Sequence, residues 1–193
     1  MVRWRQVLTI VLMTFFLSIV FNLGSSSLLR IVPLVFSFGL LFFIVLIGIV
    51  FDIVGVAAAA GKESPFHAMA ANRIPGAKQG IWMLRNADRV ATFASDVVGD
   101  IAGTLSGAIG AAIVFRLLLT QPGWNETALT TLTIAVVAAV TVGGKAWGKT
   151  IAISRCTEIL YIAGRVLYML EPFGLRLEKS NHGRNRPVTR RRM

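Results

Sequence analysis

Asp96 and Asp100 stand four residues apart inside one apolar stretch, with Thr104 a further four along. On a helix that spacing puts both carboxylates on one face, one turn apart, where like charges repel. Asp52 lies late in an earlier apolar stretch, and Lys145 closes a later one. An aspartate at the centre of a membrane helix is disfavoured by about 3 kcal/mol, and by less toward the interface, so such groups persist when paired, hydrated or bound to a cation. These four residues form the candidate intramembrane charge cluster, whose formal charge is −2 from three aspartates and one lysine. The simpler alternative is solvation of each group near a helix end.

Other chemistries lack their residues. A single cysteine, Cys156, excludes an internal disulfide framework and any paired-cysteine zinc or redox motif. His67 and His182 lie too far apart for metal-ligand spacing, and His67 beside Phe66 reads as a packing or interfacial residue. There is no GxSxG, HExxH, phosphate-binding glycine loop or Cys/His pair, so an enzyme is not expected.

The elements that must carry the cluster are membrane helices. The 193 residues are 55% hydrophobic, with a mean hydropathy of +0.70, against roughly 45–50% apolar in soluble domains. A chain this short cannot hide that excess in one core. Four stretches are long enough to cross about 30 Å of hydrocarbon: Val7 to Leu23, Ile31 to Ala60 with Pro33 near its start, Val90 to Leu119, and Ala128 to Val142. Polar breaks at Gly24-Ser25-Ser26-Ser27, Lys62 to Arg89, and Gln121 to Asn125 separate them. The expected fold is an all-α integral membrane protein, with three core helices after an N-terminal helix over residues 1–27. Arg3 and Arg5 before that helix also resemble a signal peptide, but its run of about 17 residues exceeds the usual apolar region, so a retained signal-anchor helix is expected.

Of the 20 Lys and Arg, 18 fall on one side of this arrangement and only Arg30 and Arg116 on the other. Basic excess marks the cytoplasmic face, which predicts a multi-pass cell-membrane protein with both termini cytoplasmic. Ser64-Pro65 reads as a helix start and Ile74-Pro75-Gly76 as a break, giving a cytoplasmic helical hairpin whose second arm is Ala77 to Leu84. Ile151 to Leu170 places Ile151, Ile159, Ile162, Val166 and Leu170 against Arg155, Glu158 and Arg165, as in a helix lying in the bilayer interface. A fifth span there would bury three charges. Residues 173–193 form a basic tail ending Arg190-Arg191-Arg192, suited to anionic lipid, with no nucleic acid partner expected.

Ser95, Gly99, Gly103, Gly107 and Ala111 recur at every fourth position, a small-residue ridge that lets helices approach closely. Gly99, Gly103 and Gly107 are its packing positions, against a neighbour within the subunit or across a dimer.

Ala77 to Ala112, led by Met83-Leu84-Arg85-Asn86-Ala87-Asp88-Arg89, resembles the transmembrane domain of the cyclin-M/CorC family of magnesium transporters. Gly144-Lys145-Ala146-Trp147-Gly148-Lys149-Thr150-Ile151-Ala152 is similar to that family's Gly-Glu-x-x-Pro-Lys motif, and Phe51 to Ala60 takes the place of the end of its first core helix. The likeness covers about Phe36 to Pro172, within a domain drawn over residues 28–172. It implies a homodimer of three core helices with an interfacial helix. It also implies a cation site built from serines of the first helix, an asparagine pair on the second and the motif glutamate on the third. Here the asparagine pair is Asp96 and Asp100, the glutamate is Lys145, the proline is Gly148, and no serine occupies the expected stretch, where Asp52 is the only polar side chain. No counterpart of the family's CBS pair follows Pro172, so nucleotide regulation is not expected. Hard carboxylate oxygens suit magnesium, calcium or sodium. Asp52, Asp96 and Asp100 are thus the candidate metal ligands for a magnesium or sodium ion, with the ammonium of Lys145 as the alternative cation.

Two functions follow: an ion-transporting membrane protein resembling magnesium transporters, or a non-transporting scaffold that binds a cytoplasmic or membrane protein partner, with Lys145 in place of the cation. The topology is checked by cysteine accessibility. A cysteine at Gly123 should be labelled from outside and one at Ser180 should not; outside labelling at Ser180 sinks the four-span arrangement.

Overall fold

A computed structural model describes residues 4–121 and 123–170. Every regular element among the described residues is helical. Two long helices, α1 (Trp4–Ile31) and α2 (Leu34–Ala60), precede two short ones, α3 (Glu63–Ala71) and α4 (Ala77–Arg85). Next, α5 (Ala87–Ala91) runs through a π-helical stretch (Thr92–Val98) into α6 (Gly99–Thr120), followed by α7 (Glu126–Ser154) and α8 (Cys156–Leu170). Four segments are long and apolar enough to cross a membrane: Val7–Ser25, Leu34–Ala60, Ala87–Thr120 and Glu126–Ser154.

The first break falls later than the serines indicate. α1 continues through Gly24 to Ser27 as far as Ile31, so the boundary expected at residue 27 lies inside a helix. Proline ends it: Pro33 has no N–H to donate and disfavours helical geometry in the residue before it. Its carbonyl then starts α2, accepting from the N–H groups of Phe36 and Ser37 at 3.0 and 3.3 Å. Arg116 of α6 donates to the Val32 carbonyl at 2.9 Å, which fastens this corner to the bundle.

α7 is longer than its apolar run. It starts at an Asn125 cap, whose side chain accepts from the Ala128 N–H at 3.1 Å, and continues past Lys145 to Ser154. The segment expected as one helix over Ile151–Leu170 is therefore split at Arg155, between the end of α7 and α8.

α2 is the central element, packed on α6, the π-helical stretch and α7, while its far end meets α5 and α8. α1 is peripheral and leans on Val97, Ile101 and Leu105 through Leu17. Below the long helices, α3, α4 and α8 close a small cap whose core is Ala57, Ala58, Phe66, Met83, Ala152 and Leu160. The expected hairpin is present, but Lys62 rather than Ser64 precedes its first helix. Pro65 then sits in the first turn, where its missing N–H leaves no bond unmade. Glu63 accepts from His67 at 3.0 Å and from Arg85 at 3.2 Å, joining α3 to the end of α4. The His67 hydrogen bond, with that of Arg85, holds the Glu63 carboxyl below its ordinary value.

The cap depends on a backbone crossing. Gly76 has φ +88°, a left-handed conformation that glycine tolerates, and it turns the chain into α4. Gly164 of α8 lies directly over it, and a Cβ there would come within 2.5 Å of the Gly76 carbonyl oxygen and 3.1 Å of the Gly80 nitrogen. Because the obstructing atoms are backbone, Gly164→Val should destabilise by at least the 1–3 kcal/mol typical of overpacking. The checks are thermal unfolding in detergent and faster tryptic cleavage at Arg73 and Lys78. Wild-type unfolding and cleavage would mean that α8 does not seat on α4.

Candidate functional site

Asp52 is the buried member of the charge cluster. Its residue is 4% exposed, and its Oδ2 is buried with no hydrogen-bond partner. Two glycines, one turn to either side, bring α2 tightly onto its neighbours at this level. A Cβ at Gly48 would lie 2.8 Å from the Cβ of Ala102 and 3.8 Å from the Gly99 carbonyl oxygen. A Cβ at Gly55 would collide with the Ser95 hydroxyl. Ser95 donates that hydroxyl to the main-chain oxygen of Asp52 at 3.4 Å. On the adjoining face of α2, Ile49 and Ile53 fill the space left by Gly144 and Gly148 of α7.

The wall opposite Asp52 is the π-helical stretch. The Gly99 N–H donates to the Ala94 carbonyl, five residues back rather than four. Such wide turns are rare and recur at functional sites. The stretch also interrupts the four-residue ridge, because the step from Ser95 to Gly99 does not follow α-helical geometry. Ser95 is half-buried toward α2, whereas Asp96 is exposed.

Lys145 reaches in from α7. Its Nζ lies 3.4 Å from the Gly99 carbonyl oxygen and 3.9 Å from Oδ1 of Asp100, whose side chain is 75% exposed. Both contacts are long, and the pair is uneven: Asp100 is open, while the Lys145 side chain is only 21% exposed. Among the described residues no three of His, Cys, Asp and Glu come close enough to hold a metal ion. The subunit therefore does not gather Asp52, Asp96 and Asp100 into one ligand set. The cause is helix packing: Val97, Ile101, Ala102 and Leu105 occupy the buried side of their helix, which turns Asp96 and Asp100 outward.

The ridge also divides. Gly99 packs toward Lys145, with a Cβ there 3.3 Å from Nζ, while Gly103 and Gly107 have nothing within 4 Å. Contact within the subunit instead uses Gly110, beside Thr133 and Val137 of α7, and the buried Ser106. Four participants escaped the sequence reading. Gly48 and Gly55 flank Asp52 at four and three residues, a spacing legible as close packing, and Ser95 was read only as a ridge member. Arg116 was read only as a charge on the sparsely basic side.

The apolar part of α7 has a defined length. Glu126 to Lys145 is about 29 Å of helix at 1.5 Å per residue. Trp124 just before this run and Trp147 just after it are 52% and 73% exposed.

Comparisons with protein-family models, with curated proteins and with solved structures found no match to this chain.

The two kinds of ridge glycine should respond differently to substitution. Gly99→Leu meets Lys145 and should lower the unfolding temperature of the subunit. A Cβ at Gly103 meets nothing within 4 Å, so Gly103→Ala should leave the unfolding temperature of the subunit unchanged, and an effect on a neighbouring copy is read as a change in oligomer mass by native mass spectrometry. A lowered unfolding temperature for Gly103→Ala at unchanged oligomer mass would contradict the open position.

Proposed function

We propose that this chain is a multi-pass membrane protein of cyclin-M/CorC-like architecture that takes a cation as cargo from its cytoplasmic side, with Asp52 as the accepting group. The observation that carries the reading is the buried, unpartnered carboxylate oxygen of Asp52. A buried charge is stable only when paired, hydrogen-bonded or bound to an ion, and a permanent partner would be the natural structural solution. The flanking Ser95 hydroxyl and the π-helical wall add to the case. Magnesium keeps much of its water and commonly takes only one or two carboxylates, so a single aspartate is compatible with a partly hydrated ion. Asp96 and Asp100 serve in this reading as exposed acids that concentrate cations at the entrance.

Depth supports the same placement. The run from Glu126 to Lys145 matches about 30 Å of hydrocarbon, and Trp124 and Trp147 stand where interfacial tryptophans are enriched. Lys145, Asp100 and Asp52 then lie at the cytoplasmic edge, with both termini on that side. The open Gly103 and Gly107 face is suited to a second copy, which is the homodimer that the resemblance implies.

The second reading is favoured by Lys145. Its contacts with Gly99 and Asp100 put an ammonium beside the site, and a scaffold or partner-binding subunit would need no other cation. Thermal unfolding in detergent separates the two, with and without magnesium at constant ionic strength. A cation held only by the folded state raises stability with the logarithm of its concentration. Wild type should be protected by magnesium and Asp52→Asn should not, while Lys145→Met should be protected more than wild type. Because both Lys145 contacts are long and Asp100 is exposed, the mutation itself should lower the unfolding temperature only modestly. Protection of Lys145→Met alone would make the lysine the resident cation and favour the scaffold. Equal magnesium response in wild type and Asp52→Asn would remove Asp52 as the accepting group.

A further inference from the structure

We infer that Lys145 is a tethered cation that competes with the cargo for Asp52 and is driven back onto Gly99 and Asp100 when an ion is taken up; this rests on the reading of Asp52 as the accepting group. Two groups in the bundle lack strong partners. Asp52 is 4% exposed, and its Oδ2 has no hydrogen bond. The Lys145 side chain is 21% exposed. Among the described residues its ammonium has two contacts, at 3.4 Å to the Gly99 carbonyl oxygen and 3.9 Å to Oδ1 of Asp100. An ammonium with three donors is thus largely enclosed, and neither contact is of ordinary hydrogen-bond length.

Packing sets both groups at one depth. Ile49 and Ile53 of α2 fill the space at Gly144 and Gly148 of α7, so Asp52 and Lys145 lie between the same two contacts. What separates them is Gly99, which has no side chain. Its carbonyl oxygen accepts from Nζ and lies 3.8 Å from where a Cβ at Gly48 would stand, one turn from Asp52. Lysine suits an exchange across this gap, being a compact charge on a flexible four-carbon stem. Withdrawn onto Gly99 and Asp100, as in the structure, it leaves Asp52 to the cargo. Swung past Gly99, it pairs a buried carboxylate that is unfavourable alone. Asp100, whose side chain is 75% exposed, receives the ammonium on displacement. A resident ammonium would exclude cargo, whereas a tethered one yields to it. The coupling is reciprocal: cargo weakens the hold of the lysine on Asp52 by the factor by which the lysine weakens that of cargo.

The test follows the reactivity of the Lys145 amine in the full chain in detergent. A brief acetic anhydride pulse at constant pH and ionic strength is read by peptide mass spectrometry, with the exposed Lys149 as internal reference. Without magnesium, Asp52→Asn should raise labelling of Lys145 relative to Lys149 severalfold, because the inner partner is gone. Magnesium should raise it in wild type and leave Asp52→Asn unchanged. Asp100→Asn should weaken thermal protection by magnesium more in the wild-type chain than in a Lys145→Met background, a non-additive cycle. Equal Lys145 labelling in wild type and Asp52→Asn would overturn the inference, and so would an additive cycle. Labelling raised by Asp52→Asn but untouched by magnesium in wild type would make the ammonium a permanent occupant, which also overturns it. Failure of the cargo reading itself is seen separately, as equal thermal protection of wild type and Asp52→Asn by magnesium.

Discussion

The close approach of α2 to its neighbours is the constraint on which the rest of the structure depends. At Gly48 and Gly55 the absence of a side chain lets α6 and the π-helical stretch come within contact of the α2 backbone. At Gly144 and Gly148 the same device admits Ile49 and Ile53. Three segments thereby share one narrow junction, and Asp52 is inside it. Helices that associate in lipid gain little from a hydrophobic effect and rely on this kind of contact. The enclosure of Asp52 is a by-product of that packing.

The same packing explains why the charged residues part company. The helix bearing Asp96 and Asp100 has one buried side, and apolar residues take it. Both aspartates are left to the open side, where Asp100 meets Lys145 loosely and Asp96 faces outward. One buried acid and a loose pair are different chemistry from three converging carboxylates. Oδ2 of the buried acid has no hydrogen-bond partner, whereas Lys145 has two long contacts, with Gly99 and Asp100. Asp52 is positioned by α2 and Lys145 by α7, with Gly99 between them.

The cap adjoins this junction. Gly76, Gly80 and Gly164 bring α4 and α8 into backbone contact, and Phe66 fills the space beside Gly80. α4 leads directly through α5 into the π-helical stretch, while the end of α2 lies against α8. The cap therefore adjoins both walls around Asp52.

Helix count, type and approximate extent were legible in the sequence because they follow from local properties. Apolar runs bounded by Pro33, by Pro75-Gly76 and by Gln121 to Asn125 leave little choice of element. Serine does not break a helix as proline does, which is why α1 runs through Ser25–Ser27 and stops before Pro33. Asp52 was legible as a charge late in an apolar stretch, but not as the one buried member of the cluster. What needed the tertiary structure was direction. Spacing placed Asp96 and Asp100 on one face, but only the packing of α2 and α6 determined that this face is outward. The π-helical stretch left no mark in residue type, because its register is set by the helices that clamp it. The segment over Ile151–Leu170 read as one amphipathic helix, whereas the structure divides it at Arg155 and buries Leu160 and Gly164 in the cap. Composition determines which segments leave water, and the order in which helices claim one another's faces determines which side chains remain.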